Sequence, residues 1–247
     1  MTSNHIVRSF DNDLKRLDNI IAEMGGLAES QLASAIEAMV RRDSTLAEQV
    51  IESDKRIDAL ERQVDDLAVR MLALRQPMAD DLRIVITALK TSGIVERIGD
   101  YAKNIAKRSV AISQTPPIGP TKTIARMGAQ VQSMIKNVLD AYVARDAEMA
   151  SHVRDSDSEV DLLHTSLFRE ILTYMMEDPR NISSCTHLLF VAKNIERIGD
   201  HATNIAENVY FLVHGNLPQE RRAKGDDSAF TVVQSDSSAP QNGDNSQ

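Results

Sequence analysis

The chain has 247 residues, a net charge of −8 and 26% charged side chains, with 10 Gly, 7 Pro, 1 Cys and no Trp. An acidic balance of this size excludes the basic footprint of a nucleic-acid binder, and a lone cysteine excludes an internal disulfide and fits a reducing compartment. No apolar run is long enough to span a bilayer, and the amino terminus lacks the basic-then-apolar pattern of an export signal, so a cytoplasmic location is expected.

Scarce Gly and Pro predict an all-α fold of long helices. A first helix over about 8–41 returns Leu14, Leu17, Ile21, Met24, Ala28, Leu32, Ala35 and Met39 to one face every three or four residues. A second, over about 46–74, turns Val50, Ile57, Leu60, Val64, Leu67 and Met71 inward. The third runs from near Met78 to about 112, with Pro77 suited to its first turn, where a missing N–H costs nothing. Three prolines within 114–120 then stop it. Helices over about 121–145, 148–176 and 180–214 repeat the plan, with Pro179 near the start of the last. Short connections make neighbours antiparallel, giving two three-helix bundles or one elongated six-helix body. Cys185 reads as a small buried hydrophobe on the sixth helix. From Pro218 the chain becomes Gly, Ser, Asp, Gln and Asn, interrupted only by the apolar patch Ala229 to Val233; that composition predicts a disordered polar tail over 218–247.

The chain is an internal duplication. The heptapeptide Glu96 to Ala102 reappears as Glu196 to Ala202, differing only at Tyr101 and His201, and each copy continues into Asn-Ile-Ala at 104–106 and 204–206. Further back the offset is 103: Met24 falls on Met127, Asp43 on Asp146, Asp54 on Asp157 and Asp58 on Asp161. The shortening falls near the second turn of each repeat, where a loop tolerates it and a helix would have its faces scrambled. The first repeat is thus about 1–114 and the second about 118–215.

Glu96 and Asp100, like Glu196 and Asp200, are four apart and project from one helical face, beside the apolar stripe of Ile98, Ala102 and Ile105 or of Ile195, Ile198, Ala202, Ile205 and Val209. Two acids so placed repel unless a cation intervenes. Such pairs commonly sit on solvated faces; their duplication raises the metal reading without separating retained chemistry from retained packing. Oxygen ligands without nearby Cys favour iron, manganese or magnesium over a structural zinc cage. Asp54, Asp58, Asp157 and Asp161 on the second helices could complete the shells, although Glu61 and Asp65 are matched by His164 and Phe168. Asn104 and Asn204 extend the motif face, and Gly99 and Gly199 suit the close approach of another helix or ligand. His201 is at least as suited to packing as to ligation, and His152 and His187 have no histidine counterpart and stay outside the site. No phosphate-cradling Gly-rich loop, nucleophile elbow or His-Glu-x-x-His is present, so an enzyme is not expected.

Over about 5–215 the chain resembles the PhoU family of bacterial phosphate-transport and phosphate-signalling accessory proteins. The resemblance rests on the two Glu-Arg-Ile-Gly-Asp motifs with their Asn-Ile-Ala extensions, on the run from Ala73 to Arg83, and on the duplicated three-helix pattern. It implies paired three-helix bundles that bind multinuclear clusters of iron or another metal, zinc included, with Glu96 and Asp100 at one site and Glu196 and Asp200 at the other. It also implies a cytoplasmic adaptor, often a homodimer, reaching the inner face of the plasma membrane through its partners. Those partners are the cytoplasmic ATPase of a phosphate ABC transporter and a membrane sensor histidine kinase, with phosphate-starvation genes repressed when phosphate is plentiful. The alternatives are a metal-storage or structural bundle and a metal-dependent phosphatase.

Overall fold

The computed structural model describes residues 2–218, with side chains from Phe10 onward. The tail expected over 218–247 lies outside the described residues apart from Pro218. The elements are α1 (Thr2–Arg41), α2 (Ser44–Arg75), α3 (Ala79–Ser113), α4 (Thr121–Ala144), α5 (Ala147–Glu177), a single turn of 3-10 helix (Pro179–Asn181) and α6 (Ile182–His214). The all-α expectation holds, with two differences of detail. The first helix starts at Thr2, about a turn and a half before the expected start near residue 8, because helix boundaries outrun the buried face that marks them. Pro77 lies outside α3: Gln76 closes α2 in the left-handed region at φ 47°, Met78 is extended, and the helix begins only at Ala79. Pro179 instead opens the 3-10 turn that leads into α6.

The turn between the first two helices of each repeat is built twice from the same residues. Arg42 and Arg145 take up left-handed backbone, at φ 59° and 56°. Each is followed by an aspartate whose carboxylate caps the next helix: Asp43 accepts from the Leu46 N–H at 3.0 Å, and Asp146 from those of Glu148 and Met149 at 3.0 and 2.9 Å. Capping of this kind satisfies backbone donors that the helix leaves open. The two arginines then diverge in use. Arg42 donates to the carbonyls of Ser113 and Thr115 and ties down the end of α3. Arg145 reaches across to α1 and forms a forked ion pair with Asp18, both N–O distances being 2.8 Å.

The two repeats form one body. α2 packs on α1 and α3, α5 packs on α4 and α6, and the middle is made where α1 meets α4 and α3 meets α6. Every residue of the two expected motif stripes, from Ile98 to Ile105 and from Ile195 to Val209, is buried in a core that also takes in Leu32, Ile57, Met127 and Tyr142. Cys185 is fully buried in it. Among the described residues no helix is long and apolar enough to cross a membrane.

Candidate functional site

Each motif faces the second helix of its own repeat, and the motif glycine sets the distance. A Cβ on Gly99 would lie 2.9 Å from Ile57 Cδ1, 3.1 Å from Gln31 Oε1 and 3.4 Å from Asp54 Oδ1. One on Gly199 would lie 3.1 Å from Asp157 Oδ1 and 3.6 Å from Val160 Cγ1. The missing side chains let α2 and α5 bring their aspartates against the motif helices, the close helix approach that two helix-weakening glycines at equivalent positions suggested.

In the first repeat this produces an acidic cluster. Asp54 is 2% exposed, and Glu96 lies among Asp100, Glu61, Asp58 and Asp54. Burial first, and then repulsion from those four carboxylates, pushes the Glu96 carboxyl up to about 7. Glu61 is raised by burial and by Asp65 and Asp58. Part of the negative charge is met from within: the Lys103 ammonium binds Asp54 Oδ2 and lies 3.2 Å from Asp100 Oδ1. Its hydrogen bond to Asp54 raises the Lys103 pKa and holds the charge on.

The second repeat meets the same need differently. Glu196 is 5% exposed and burial raises its pKa, with Lys193, 2.9 Å away, opposing the rise and Asp200 adding to it. Asp157, Asp161 and His164 are buried along α5, and the His164 ring lies close enough to Glu196 to lower its pKa. Lys103 corresponds to Thr203 and Lys193 to Gly93, so each repeat supplies its lysine from a different turn of the motif helix.

The structure thus gathers Asp54, Asp58, Glu96 and Asp100 at one cluster, adds Glu61 to it, and places Asp157 against the Gly199 turn between Glu196 and Asp200. Asn104 and Asn204 are exposed and outside both clusters. His201 packs: its ring stacks on Tyr101 at 5.5 Å, and burial, then Arg97, lower its pKa. Sequence reasoning passed over Lys103 and Lys193, although Lys103 stands three residues after Asp100 and Lys193 three before Glu196, a spacing at which side chains meet on a helix.

A hard cation would find the right donors in these carboxylates. Among the described residues, however, no group of three or more His, Cys, Asp or Glu side chains converges in an arrangement that could hold a metal ion. In the first repeat the Lys103 ammonium stands between two of the acids a metal would use.

Duplicated three-helix units, joined face to face through their motif helices, define an all-α tandem-repeat protein with buried acids packed against the motif helix of each repeat. The family model described as the PhoU domain matches residues 21–109 and again 124–209. The chain is 53% identical over 221 residues to the phosphate-specific transport system accessory protein PhoU homolog of Zymomonas mobilis, covering 89% of this chain and 93% of that one. It superposes on the crystal structure of PhoU from Pseudomonas aeruginosa with a TM-score of 0.81 at 42% identity, covering 84% of this chain and all of the other. On the phosphate transport system regulatory protein PhoU from Streptococcus pneumoniae the TM-score is 0.79 at 27% identity, covering 85% of this chain and all of the other. The chain belongs to the PhoU family of phosphate regulatory accessory proteins, and with it to regulators rather than enzymes.

Proposed function

We propose that the chain is a cytoplasmic adaptor that couples a phosphate ABC transporter, through the transporter's ATPase, to a membrane sensor histidine kinase. With phosphate plentiful it holds the kinase in its non-activating state and restrains uptake. The observation that carries this reading is the PhoU-domain match in both halves of the chain, at residues 21–109 and 124–209. The packing of α3 on α6 supports it physically. A body joined through its motif helices can pass a change at one docking face to another, a coupling typically worth about 1–3 kcal/mol. Peripheral membrane contact through the partners, and a homodimer, belong to the same reading.

The metal belongs to the proposal too. Glu96, Asp100, Asp54 and Asp58 would hold iron, manganese or magnesium in the first repeat, and Glu196, Asp200, Asp157 and Asp161 in the second. What supports it is the electrostatic state of the acids, since Glu96 and Glu196 are both raised by burial and by like charge, which a bound cation would reverse. When bound, the metal would supply positive charge that braces the motif helix against the second helix of its repeat. Lys103 would have to swing out of the first cluster, and its 26% exposed side chain leaves it a path to do so.

The test is recovery of the transporter ATPase and the kinase from membranes of phosphate-replete and phosphate-starved cells, with metal quantified on the bait. Wild type should recover both in a phosphate-dependent way, and replacing Glu96, Asp100, Glu196 and Asp200 should lower metal content and partner recovery together. Metal without partners would refute the adaptor, and partners with unchanged metal content in the variant would refute the ligand assignment.

A further inference from the structure

An open cleft of about 480 Å³ lies on one flank of the seam between α3 and α6, and its lining contains no carboxylate. Lys107 and Arg108 enter it from α3, and His187 and Arg197 from α6. In a chain of net charge −8 such a gathering reverses the local sign, and a cleft lined by one sign of charge concentrates the opposite ion. Arg197 also borders the adjoining cleft that holds Asp200 and Glu207, whereas Lys107 and Arg108 line this one alone. Arg108 is held in place: its guanidinium lies 4.0 Å from the centroid of the Phe190 ring, and its Nη1 is 3.4 Å from His187 Nδ1. Arg197 stacks over Tyr101 at 5.8 Å, and the nearly buried Asn194 adds an amide. Guanidinium groups already stacked lose little freedom when they bind a ligand.

The duplication supplies an internal control. At an offset of 100, Lys107 and Arg108 correspond to Glu207 and Asn208, and His187 and Phe190 to Thr87 and Lys90. The equivalent flank of the seam therefore carries an acid where this one carries a base. Arg197 is matched by Arg97, and Lys90 stands where this flank has Phe190, so what sets this flank apart is Lys107 and Arg108; packing that both repeats share does not require these two cations, and their place here calls for another cause.

The geometry points to a binding site for a multiply charged phosphoryl oxyanion in this cleft, held by Lys107, Arg108 and Arg197. Guanidinium forks arriving from two helices match a tetrahedral anion with several acceptor oxygens, whereas a lone carboxylate would engage one fork and leave the other. The volume falls within the range of ligand clefts and accommodates either free phosphate or the phosphate chain of a nucleotide. The site is distinct from the acidic clusters and stands independently of the metal and the adaptor roles.

Calorimetric titration of the full chain in metal-free buffer, with inorganic phosphate in one series and ATP in the other, tests this. Wild type should bind at least one titrant saturably: phosphate binding assigns the free anion, and binding of ATP alone assigns a nucleotide phosphate chain. Lys107→Glu with Arg108→Asn, the residues of the opposite flank, should weaken binding by about tenfold or more, since each removes a charge-assisted contact. Lys107→Gln, at an exposed position that leaves folding intact, should weaken it several-fold, and Lys122→Glu on α4 should leave it unchanged. Absence of binding by both titrants, or equal weakening by Lys122→Glu, overturns the assignment.

Discussion

Tyr101 and His201 occupy the same position in the two repeats, and their rings stack on each other with centroids 5.5 Å apart and planes 21° from parallel. Equivalent residues of the two repeats thus meet face to face at the place where α3 and α6 are joined. Stacked rings contribute about 0.5–1.5 kcal/mol beyond the area they bury. A double-mutant cycle on Tyr101→Ala and His201→Ala, read by urea unfolding, should show coupling of that size. Strict additivity would mean that the seam holds without the stack.

Glu96 and His201 give opposite pH dependences. The folded Glu96 carboxyl is raised from its ordinary 4.5 to about 7, so the fold binds its proton more tightly than the unfolded chain does, and stability falls as pH rises through that window. His201 is lowered from its ordinary 6.5; its contribution is complete above that value and is lost as pH falls through it. Glu96→Gln removes the first effect alone. The variant should be more stable than wild type at pH 8, by under about 1 kcal/mol because solvent screens a half-exposed site, and indistinguishable from it near pH 4. An equal difference at both pH values would contradict the electrostatic account.

The Lys103 to Asp54 pair should be asymmetric under mutation. Lys103→Met leaves a carboxylate that is 4% exposed without its ammonium partner, and should destabilise by about 1–3 kcal/mol, less than a fully buried pair would because the lysine reaches solvent. Adding Asp54→Asn should restore part of the loss. Urea midpoints of the two variants decide it: no recovery in the double variant would mean that Lys103 acts through packing alone.

Glycines separate by what surrounds them. A Cβ on Gly26 meets nothing within 4 Å, so Gly26→Ala should stabilise by about 0.5–1 kcal/mol through helix propensity. Gly99→Val should instead cost about 1–3 kcal/mol, because Ile57 and Gln31 already crowd that position. Thermal unfolding of both variants checks the sign; a stabilised Gly99→Val would mean that α2 does not press on the motif.

Much of this architecture is legible in the sequence because it is periodic. The stripes from Leu17 to Met39 and from Ile195 to Val209 are core stripes, and the duplicated Glu-x-x-x-Asp does lie beside them. Helix starts are less legible: nothing in composition says that α1 begins at Thr2, or that Gln76 turns left-handed and leaves Pro77 outside α3. The acids of α2 can be paired with the motif from their spacing, but not Lys103 with Asp54, which are 49 residues apart and meet only through packing. His187, set aside for lack of a counterpart, reaches Arg108 across the seam between the repeats. That contact depends on how α3 packs on α6, and the packing of one repeat on the other leaves no local mark on a chain.

The adaptor role is tested most directly by a phosphate-starvation reporter in a strain that lacks this protein, grown in phosphate-rich medium. The account predicts a derepressed reporter, silenced again by the wild-type chain and not by the variant that lacks Glu96, Asp100, Glu196 and Asp200. A reporter that stays silent in the deletion strain would contradict it.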